Sequence, residues 1–261
     1  MPFRVASVSF LNAKPLIHGL EREPDVRLSL AVPSKLIDSL RDGSADVALL
    51  PVIDYQRLDG LTILPAGGIG SDGETLTVRI FSRVPVDQIL TLACDPDSHT
   101  SVALARIILA RRYNLRPEFR QLSRAAGSDD PHQAQLLIGD KVVCDEPAGF
   151  PYQLDLGAEW KALTGLPFVF ATWMARYDVP NLPRLHAILE RAKTRGLAAI
   201  DDIIAAHAKP RGWSADVARR YLTHHLQFHV GQRELEAIRT FHQFAAEEGV
   251  IDVVRPLAVC G

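Results

Sequence analysis

Residues 9–15, Ser-Phe-Leu-Asn-Ala-Lys-Pro, bring a hydroxyl, an amide and an ammonium group together in one short stretch. This stretch joins an apolar run, residues 3–8, to a helix that we expect to open at Pro15, because proline suits a first helical turn. The side chains of Ser9, Asn12 and Lys14 would then stand at the end of a strand, beside helix N–H groups that lack intrahelical partners. Such a place favours the binding of a carboxylate or a phosphate.

Each of these three side chains also has a structural interpretation. The Asn12 amide both donates and accepts hydrogen bonds, so it is suited to orient a substrate, but it can equally cap a helix. The same alternatives hold for Ser9. The Lys14 ammonium can neutralise a dianion, and as a flexible point charge it can also remain solvated.

A second group of hydroxyls lies where a strand is expected to lead into a helix over residues 100–113. Ser98, Thr100 and Ser101, together with the helix N–H groups, can bind a carboxylate without a buried cation. The alternative is N-capping by one of the three, which would leave the other two available for binding. His99, which lies among them, is expected to face solvent.

An acidic residue ends a third expected strand, residues 135–140. Asp140 would face a cleft there, where it can position a substrate or transfer a proton, or it can simply cap a turn. Gly139, directly before it, is expected to permit close approach of the backbone.

Two further patterns match known sites only in part. Residues 68–73 read Gly-x-Gly-x-x-Gly, but a dinucleotide site needs a strand before and a helix after this motif. The alternating residues that follow predict a strand, so we expect a flexible turn near a hinge. His225 and His229 have the i, i+4 spacing of helical metal ligands, but no third ligand accompanies them. We therefore expect a surface or packed pair, and no metal site.

Expected strands and helices alternate in two separate blocks of the chain, and these elements must position the residues above. Such alternation indicates parallel sheets covered by helices. The chain from residue 182 onwards is expected to be helical. An α/β block inserted into another predicts two lobes with a binding cleft between them. The expected lobes are residues 1–86 with the helical return 173–261, and the inserted residues 87–172, with crossings near 82–90 and 168–173.

Composition excludes several classes of protein. A chain of 261 residues with 47% hydrophobic residues can bury a large core. Its 29 Lys and Arg against 31 Asp and Glu give no basic field for nucleic acid. Three cysteines without metal-ligand spacing suit a reducing cytosol. No signal-peptide pattern and no long apolar run is visible, so we expect a cytoplasmic protein without membrane contact. Its oligomeric state stays open.

Five segments together carry a resemblance to a known family. They are SFLNAKPL (9–16), SDGETLTV (71–78), DPDSHTS (95–101), LLIGD (136–140) and DLGAEWKALTGLPFVFATW (155–173). In this order, over about residues 3–175, the chain resembles the menaquinone biosynthesis enzymes of the futalosine route, in particular the chorismate dehydratase branch. The cyclic futalosine synthase branch is related, but the ending TGLPFVFATW is similar to the dehydratases.

The resemblance implies an α/β, two-lobed fold of the type II periplasmic-binding-protein kind with a helical C-terminal tail, used by a cytoplasmic enzyme. It implies dehydration of chorismate to 3-[(1-carboxyvinyl)oxy]benzoate, without a metal or redox cofactor. Catalytic roles would fall to Asn12 and Asp140. The implied substrate-binding residues are Ser9, Asn12, Lys14, Ser71, Thr77, Ser98, Thr100, Ser101 and Gly139.

Three questions remain open at this point. The base is either a side chain such as Asp140 or the substrate's own enolpyruvyl carboxylate. The family often has Val-x-Ser-Val where this chain has residues 75–78, Thr-Leu-Thr-Val, so Thr77 keeps the hydroxyl but adds a methyl group. A solute receptor that closes on a small anion without chemistry would have the same fold.

Overall fold

The computed structural model describes residues 1–95, 98–122 and 133–260. Strands and helices alternate along the first two thirds of the chain, and helices follow from residue 182. The strands are β1 (Phe3–Val8), β2 (Val26–Ala31), β3 (Val47–Pro51), β4 (Leu61–Ser71), β5 (Val78–Ser82), β6 (Thr91–Cys94), β7 (Glu118–Gln121), β8 (Ala134–Ile138), β9 (Tyr152–Asp155) and β10 (Phe168–Arg176). The α-helices are α1 (Lys14–Ile17), α2 (Pro33–Arg41), α3 (His99–Tyr113), α4 (Asp140–Cys144), α5 (Leu156–Thr164), α6 (Leu182–Ala198), α7 (Ile200–His207), α8 (Ala215–Arg220) and α9 (Gln232–Glu247).

Two five-stranded sheets form the centres of two lobes. The first sheet has the order β2-β1-β3-β10-β4, and the second has the order β7-β6-β8-β5-β9. In each sheet the strands of the βαβ units are parallel, and a strand that enters from the other lobe is antiparallel to its neighbours. The predicted α/β class, the two lobes and the helical C-terminal segment are therefore present in the structure.

The chain changes sheets earlier than the sequence indicates. Strand β5 pairs with β8 and β9 in the second sheet, although a boundary at residue 86 assigns it to the first lobe. Strand β10 pairs along its length with β3 and β4 of the first sheet, although a boundary at residue 172 divides it. The two crossings therefore lie at residues 72–77 and 156–167. Alternation of polar and apolar residues locates a strand but does not show which sheet it joins.

The Gly-x-Gly-x-x-Gly segment is not a flexible turn, because most of it belongs to β4, which was not predicted as a strand. A Cβ atom at Gly68 would lie 2.7 Å from the carbonyl oxygen of Ala171, and one at Gly70 would lie 2.7 Å from that of Phe168. These glycines let β10 approach β4 closely where the register of the pair shifts. The motif thus serves strand packing.

The C-terminal helices return to the first lobe. Helix α6 packs on α1 and β4, and Gly196 lies so close to Pro15 that a Cβ atom would clash with its carbonyl oxygen. The chain after residue 182 is not helical throughout, because α8 ends at Arg220 and a π-helical turn, Tyr221–His225, follows before an extended segment. None of the described helices is long and apolar enough to cross a membrane.

Candidate functional site

A cavity lies between the two lobes, with an empty volume of about 630 Å³ that includes the part open to solvent. The polar residues that line it are Asn12, Thr75, Thr77, Ser98, Thr100, Ser101 and Tyr221, and Gly139 contributes backbone. The chain therefore brings together six of the ten residues that the sequence singles out.

Asn12 projects into the cavity from the first lobe. It lies in a short 3-10 turn, Leu11–Ala13, that continues β1 directly into α1. Neither this turn nor α1 has a side-chain cap, so the helix-capping interpretation of Asn12 is wrong. Its Oδ1 atom is buried and has no hydrogen-bond partner among the described residues. A buried amide oxygen without a partner is costly, and a ligand with a hydroxyl or a protonated carboxyl group would satisfy it.

Tyr221 is a cavity residue that sequence reasoning missed. Its hydroxyl lies 2.8 Å from Oγ1 of Thr77, which reaches the cavity from the crossing segment between the lobes. Its ring stacks on Trp213 at a centroid distance of 4.9 Å. Burial raises the pKa of Tyr221 well above its ordinary value, although hydrogen bonds with Thr77 and Asn12 act in the opposite direction. The phenol is therefore a neutral donor and acceptor in the site.

No signal in the sequence marks Tyr221, because an aromatic residue at helical spacing is usually a core residue. The structure places it in the first position of the π-helical turn. Such turns are rare and occur often at functional sites.

The second lobe presents the N-terminal turn of α3 to the cavity. Ser98 is the N-cap, since its Oγ accepts a hydrogen bond from the Ser101 backbone N at 3.2 Å. Thr100 Oγ1 accepts a 3.4 Å hydrogen bond from the backbone N of Ile53 in the first lobe. Ser98 therefore fills the capping role that the sequence left open, and Thr100 and Ser101 line the cavity beside it. The positive end of the helix dipole faces the cavity beside them.

His99 does not face solvent as expected. Its Nδ1 atom lies 2.9 and 3.0 Å from the two carboxylate oxygens of Asp54, a fully buried residue of the first lobe. Asp54 belongs to the 3-10 turn Val52–Gln56, which follows β3. The two residues therefore connect the lobes at one side of the cavity.

Asp140 connects the lobes at another place and does not line the cavity. Its Oδ1 accepts a 3.0 Å hydrogen bond from Nε1 of Trp213, and its Oδ2 lies 3.8 Å from Nε of Arg211. Burial raises the pKa of the Asp140 carboxyl group, although Trp213, Arg211 and the backbone of Leu11 act in the opposite direction. The expected strand is two residues too long, because β8 ends at Ile138 and Asp140 begins α4, and the direction of the Asp140 carboxylate was not predicted.

Gly139, next to it, does line the cavity. Its φ of +69° lies in the region that favours glycine, and a Cβ atom would have room beside Phe10. The backbone conformation, and not a close approach, is therefore what requires glycine here.

Three other residues that were expected to bind substrate lie outside the cavity lining. Ser9 is exposed, and its carbonyl oxygen accepts a hydrogen bond from Arg211. Burial and the nearby charge of Arg211 lower the pKa of Lys14. Ser71 is buried, and its Oγ has no partner within the described part of the chain.

Asp155 fixes the crossing segment that carries Thr75 and Thr77. Its carboxylate accepts hydrogen bonds from the backbone N atoms of Thr75 at 3.0 Å and Leu76 at 2.8 Å, and it caps α5. Leu76 has a φ of 68°, which is uncommon for a residue with a side chain. Both crossings thus meet at this carboxylate, which holds the two hydroxyl residues in place.

The described residues that line the cavity include no aspartate, glutamate, histidine, lysine or arginine. An anion there would be bound by hydroxyl groups, an amide and the N-terminus of α3 rather than by an ion pair. This neutral lining also offers a ligand no carboxylate or imidazole as a proton acceptor.

The sequence predicts no metal site at His225 and His229, because no third ligand accompanies them. The structure ends the π-helical turn at His225, so the two histidines do not share a helical face. No group of three or more potential metal ligands occurs among residues 1–95, 98–122 and 133–260.

Comparisons of the sequence with known proteins identify the family to which the chain is similar. The family model for menaquinone biosynthesis matches residues 3–247. Two similar proteins are both named chorismate dehydratase. The one from Thermus thermophilus is 25% identical and aligns over 92% of this chain and 94% of its own. The one from Campylobacter jejuni is 25% identical and aligns over 90% of this chain and 93% of its own.

Solved structures show the same fold. Protein AF1704 from Archaeoglobus fulgidus has a TM-score of 0.78 and 16% identity, and the alignment covers 96% of this chain and 98% of that one. The alkanesulfonate-binding protein SsuA from Xanthomonas axonopodis, bound to MOPS, has a TM-score of 0.72 and 13% identity. The alignment covers 99% of this chain and 98% of that one. The periplasmic-binding-protein-like fold expected from the sequence is confirmed.

Proposed function

The chain belongs to the menaquinone biosynthesis family, and we propose that it removes water from chorismate to give 3-[(1-carboxyvinyl)oxy]benzoate. The observation that carries this proposal is the inter-lobe cavity, in which Asn12 with its unpartnered Oδ1 faces the N-terminal turn of α3. The names of the two curated relatives, which align along almost their whole length, support the same reaction.

Chorismate carries two carboxylates and a ring hydroxyl, which match the chemistry of this cavity. One carboxylate would bind the hydroxyl groups of Thr100 and Ser101 and the N–H groups at the start of α3. Asn12 would accept a hydrogen bond from the C4 hydroxyl through Oδ1. Tyr221 and Thr77 would complete the polar wall.

The reaction breaks the C3–H and C4–O bonds and forms one ring double bond. The proton and the hydroxide leave as water, and the ring becomes aromatic, so atoms and electrons balance without an oxidant or a reductant. The protein would contribute by fixing the geometry, excluding water and holding the departing hydroxyl in hydrogen bonds.

We assign the role of base to the enolpyruvyl carboxylate of the substrate. The support is the lining itself: among its described residues only Tyr221 is ionisable, and its raised pKa keeps it protonated at neutral pH. Asp140 hydrogen-bonds with Trp213 at the lobe contact instead. Asn12 would then orient the substrate so that its own carboxylate meets the C3 proton.

The proposal is tested by incubating the purified protein with chorismate and separating the mixture by chromatography. We expect chorismate to decrease and the benzoate to increase in equal molar amounts, and both changes to be roughly a hundredfold slower or more in the Asn12→Ala variant. Chorismate that binds in calorimetry but stays unconverted would instead identify a small-anion receptor. Chorismate that neither binds nor reacts would leave the sister cyclic futalosine synthase activity as the candidate.

A further inference from the structure

The contact between Asp54 and His99 joins the two lobes beside the cavity but belongs to neither wall of it. Asp54 is fully buried at the end of the first sheet, in the 3-10 turn that follows β3. His99 is the first residue of α3, in the second lobe. A carboxylate alone only accepts hydrogen bonds, so Nδ1 of His99 carries the hydrogen and donates to both oxygens, at 2.9 and 3.0 Å.

The first-lobe side of this contact is held firmly. The ring of His242 is fully buried. Its Nε2 atom lies 2.8 Å from the carbonyl oxygen of Val52, and its Nδ1 atom lies 2.9 Å from Nε2 of Gln56. These two bonds hold both ends of the 3-10 turn. Arg57, directly after the turn, reaches back to Asp54 at 3.0 Å. Asp54 therefore offers its carboxylate to the second lobe from a fixed position.

The second-lobe side of the contact is part of the binding surface. His99 stands between Ser98, which caps α3, and Thr100, which lines the cavity. Thr100 itself accepts a hydrogen bond from Ile53, the residue before Asp54. Fixing His99 therefore fixes the orientation of the hydroxyl groups on both sides of it.

The contact requires that the two lobes stay as close together as they are in this structure. If the second lobe moved away, Asp54 would keep Arg57 but lose His99, and a buried carboxylate with fewer partners is costly. The same movement would carry Thr100 and Ser101 away from Asn12. Closure and a complete site are therefore coupled through this pair.

We propose that Asp54 and His99 are positioning residues, which hold the N-terminal turn of α3 against the first lobe and so keep the substrate site assembled. The catalytic part of this inference rests on the proposed function, whereas the closure of the lobes does not. If the pair is lost, the closed population falls, and the apparent affinity falls by the same factor. Saturating substrate restores the closed form, so kcat should change little.

The test compares His99→Ala with His99→Asn, whose side-chain amide can still donate to Asp54, and with the exposed His224→Ala as a matched control. In the ligand-free protein, small-angle scattering should give a larger radius of gyration for His99→Ala only. With chorismate, His99→Ala should raise KM about tenfold with kcat within twofold, and His99→Asn should recover most of the difference. Circular dichroism checks that each variant is folded.

Unchanged radius of gyration and unchanged KM in His99→Ala would overturn the proposal, and so would a fall in kcat at unchanged KM. If the wild-type protein does not convert chorismate, the proposed function fails, but the scattering comparison still decides whether the pair closes the lobes. Asp54→Ala is the second variant, and it should give the same increase in radius where it folds, because it removes both acceptor oxygens. If the Asp54 variant does not fold, the variants of His99, which is a partly exposed residue, still decide the question.

Discussion

The hydroxyl of Tyr221 and Oγ1 of Thr77 lie 2.8 Å apart and join the C-terminal helices to the segment that crosses between the lobes. The hydroxyl of Thr77 thus has a partner that the sequence does not reveal. Both side chains line the cavity. The relationship therefore gives Thr77 a specific role, which is to hold the phenol at the wall of the site.

Tyr221→Phe should lower the free energy of unfolding by about 1–3 kcal/mol, because it leaves the buried Thr77 hydroxyl without this partner. Thr77→Val should cost a similar amount. The double variant should cost clearly less than the sum, since replacing both partners removes the unsatisfied group. Urea unfolding of the four proteins measures the coupling, and strict additivity would show that the two hydroxyls do not interact.

Asn12→Ala should reduce chorismate turnover by roughly a hundredfold or more while the melting temperature stays nearly unchanged. The expected loss follows from geometry, since misplacing a substrate by about 1 Å can cost that much in rate. Stability should change little because Asn12 caps no helix, its Oδ1 has no described partner to lose, and Tyr221, to which the Asn12 side chain is hydrogen-bonded, keeps its bond with Thr77. Steady-state kinetics and a thermal melt test this together, and an earlier melt with wild-type turnover would give Asn12 a structural role only.

Thr100→Ala combined with Ser101→Ala should weaken binding of the product benzoate and reduce the compaction that the product causes. Calorimetric titration and small-angle scattering with and without product measure the two effects. Ser98→Ala should instead cost about 1 kcal/mol of stability, because it removes the cap of α3.

The matched control for this comparison is Ser214→Ala, which removes the same kind of cap from α8, outside the cavity lining. It should lose stability as Ser98→Ala does and keep wild-type affinity for the product. Unchanged affinity and compaction in the Thr100 and Ser101 variant would remove both hydroxyls from the site.

The sequence predicted the positions of strands and helices better than it predicted which of them pack or pair with one another. The strand before Asn12 and the helix after Ser98 follow from local patterns, so both walls of the cavity were predicted. Strand β4 was missed because its glycines and Pro65 are poor strand formers, and only the close approach of β10 explains them. Tertiary packing decided the outcome there.

The sequence also could not show which distant residue a polar side chain contacts. Asp54 pairs with His99 across 45 positions, and Asp140 hydrogen-bonds with Trp213 across 73. No local pattern encodes such pairs. The sequence therefore identified polar residues at strand ends but could not separate those that face the cavity from those that join the lobes.

Stability should fall in mild acid because of His242. Burial lowers the pKa of this histidine to about 4, and its Nδ1 faces the amide nitrogen of Gln56, so a proton there would oppose a donor. Between about pH 6.5 and pH 4 the unfolded chain binds this proton and the folded protein does not. The free energy of unfolding therefore falls as the pH falls, by about 3 kcal/mol over this window.

His242→Gln isolates this contribution, because glutamine keeps a donor and an acceptor but does not titrate. Urea unfolding at several pH values should show a flatter dependence between pH 6.5 and 4 for His242→Gln than for the wild type. The exposed His224→Gln should keep the wild-type slope. Equal slopes in all three proteins would show that His242 is not held neutral in the folded state.

Asp140→Asn distinguishes the two candidates for the base. The amide oxygen can still accept the hydrogen bond from Trp213, so the lobe contact is largely kept while the carboxylate is lost. If the substrate's own carboxylate removes the C3 proton, kcat should fall by less than about fivefold. Loss of a protein base would instead cost roughly 10²–10⁴-fold.

The pH profile of kcat/KM gives an independent measurement of the same question. Burial raises the pKa of Asp140, so a base at this position would produce an acidic limb above the ordinary range of an aspartate. We expect the wild type and Asp140→Asn to have acidic limbs at the same pH, because the limb would reflect the substrate and not this residue. A limb present in the wild type and absent from the variant, together with a large loss of kcat, would return the role of base to Asp140.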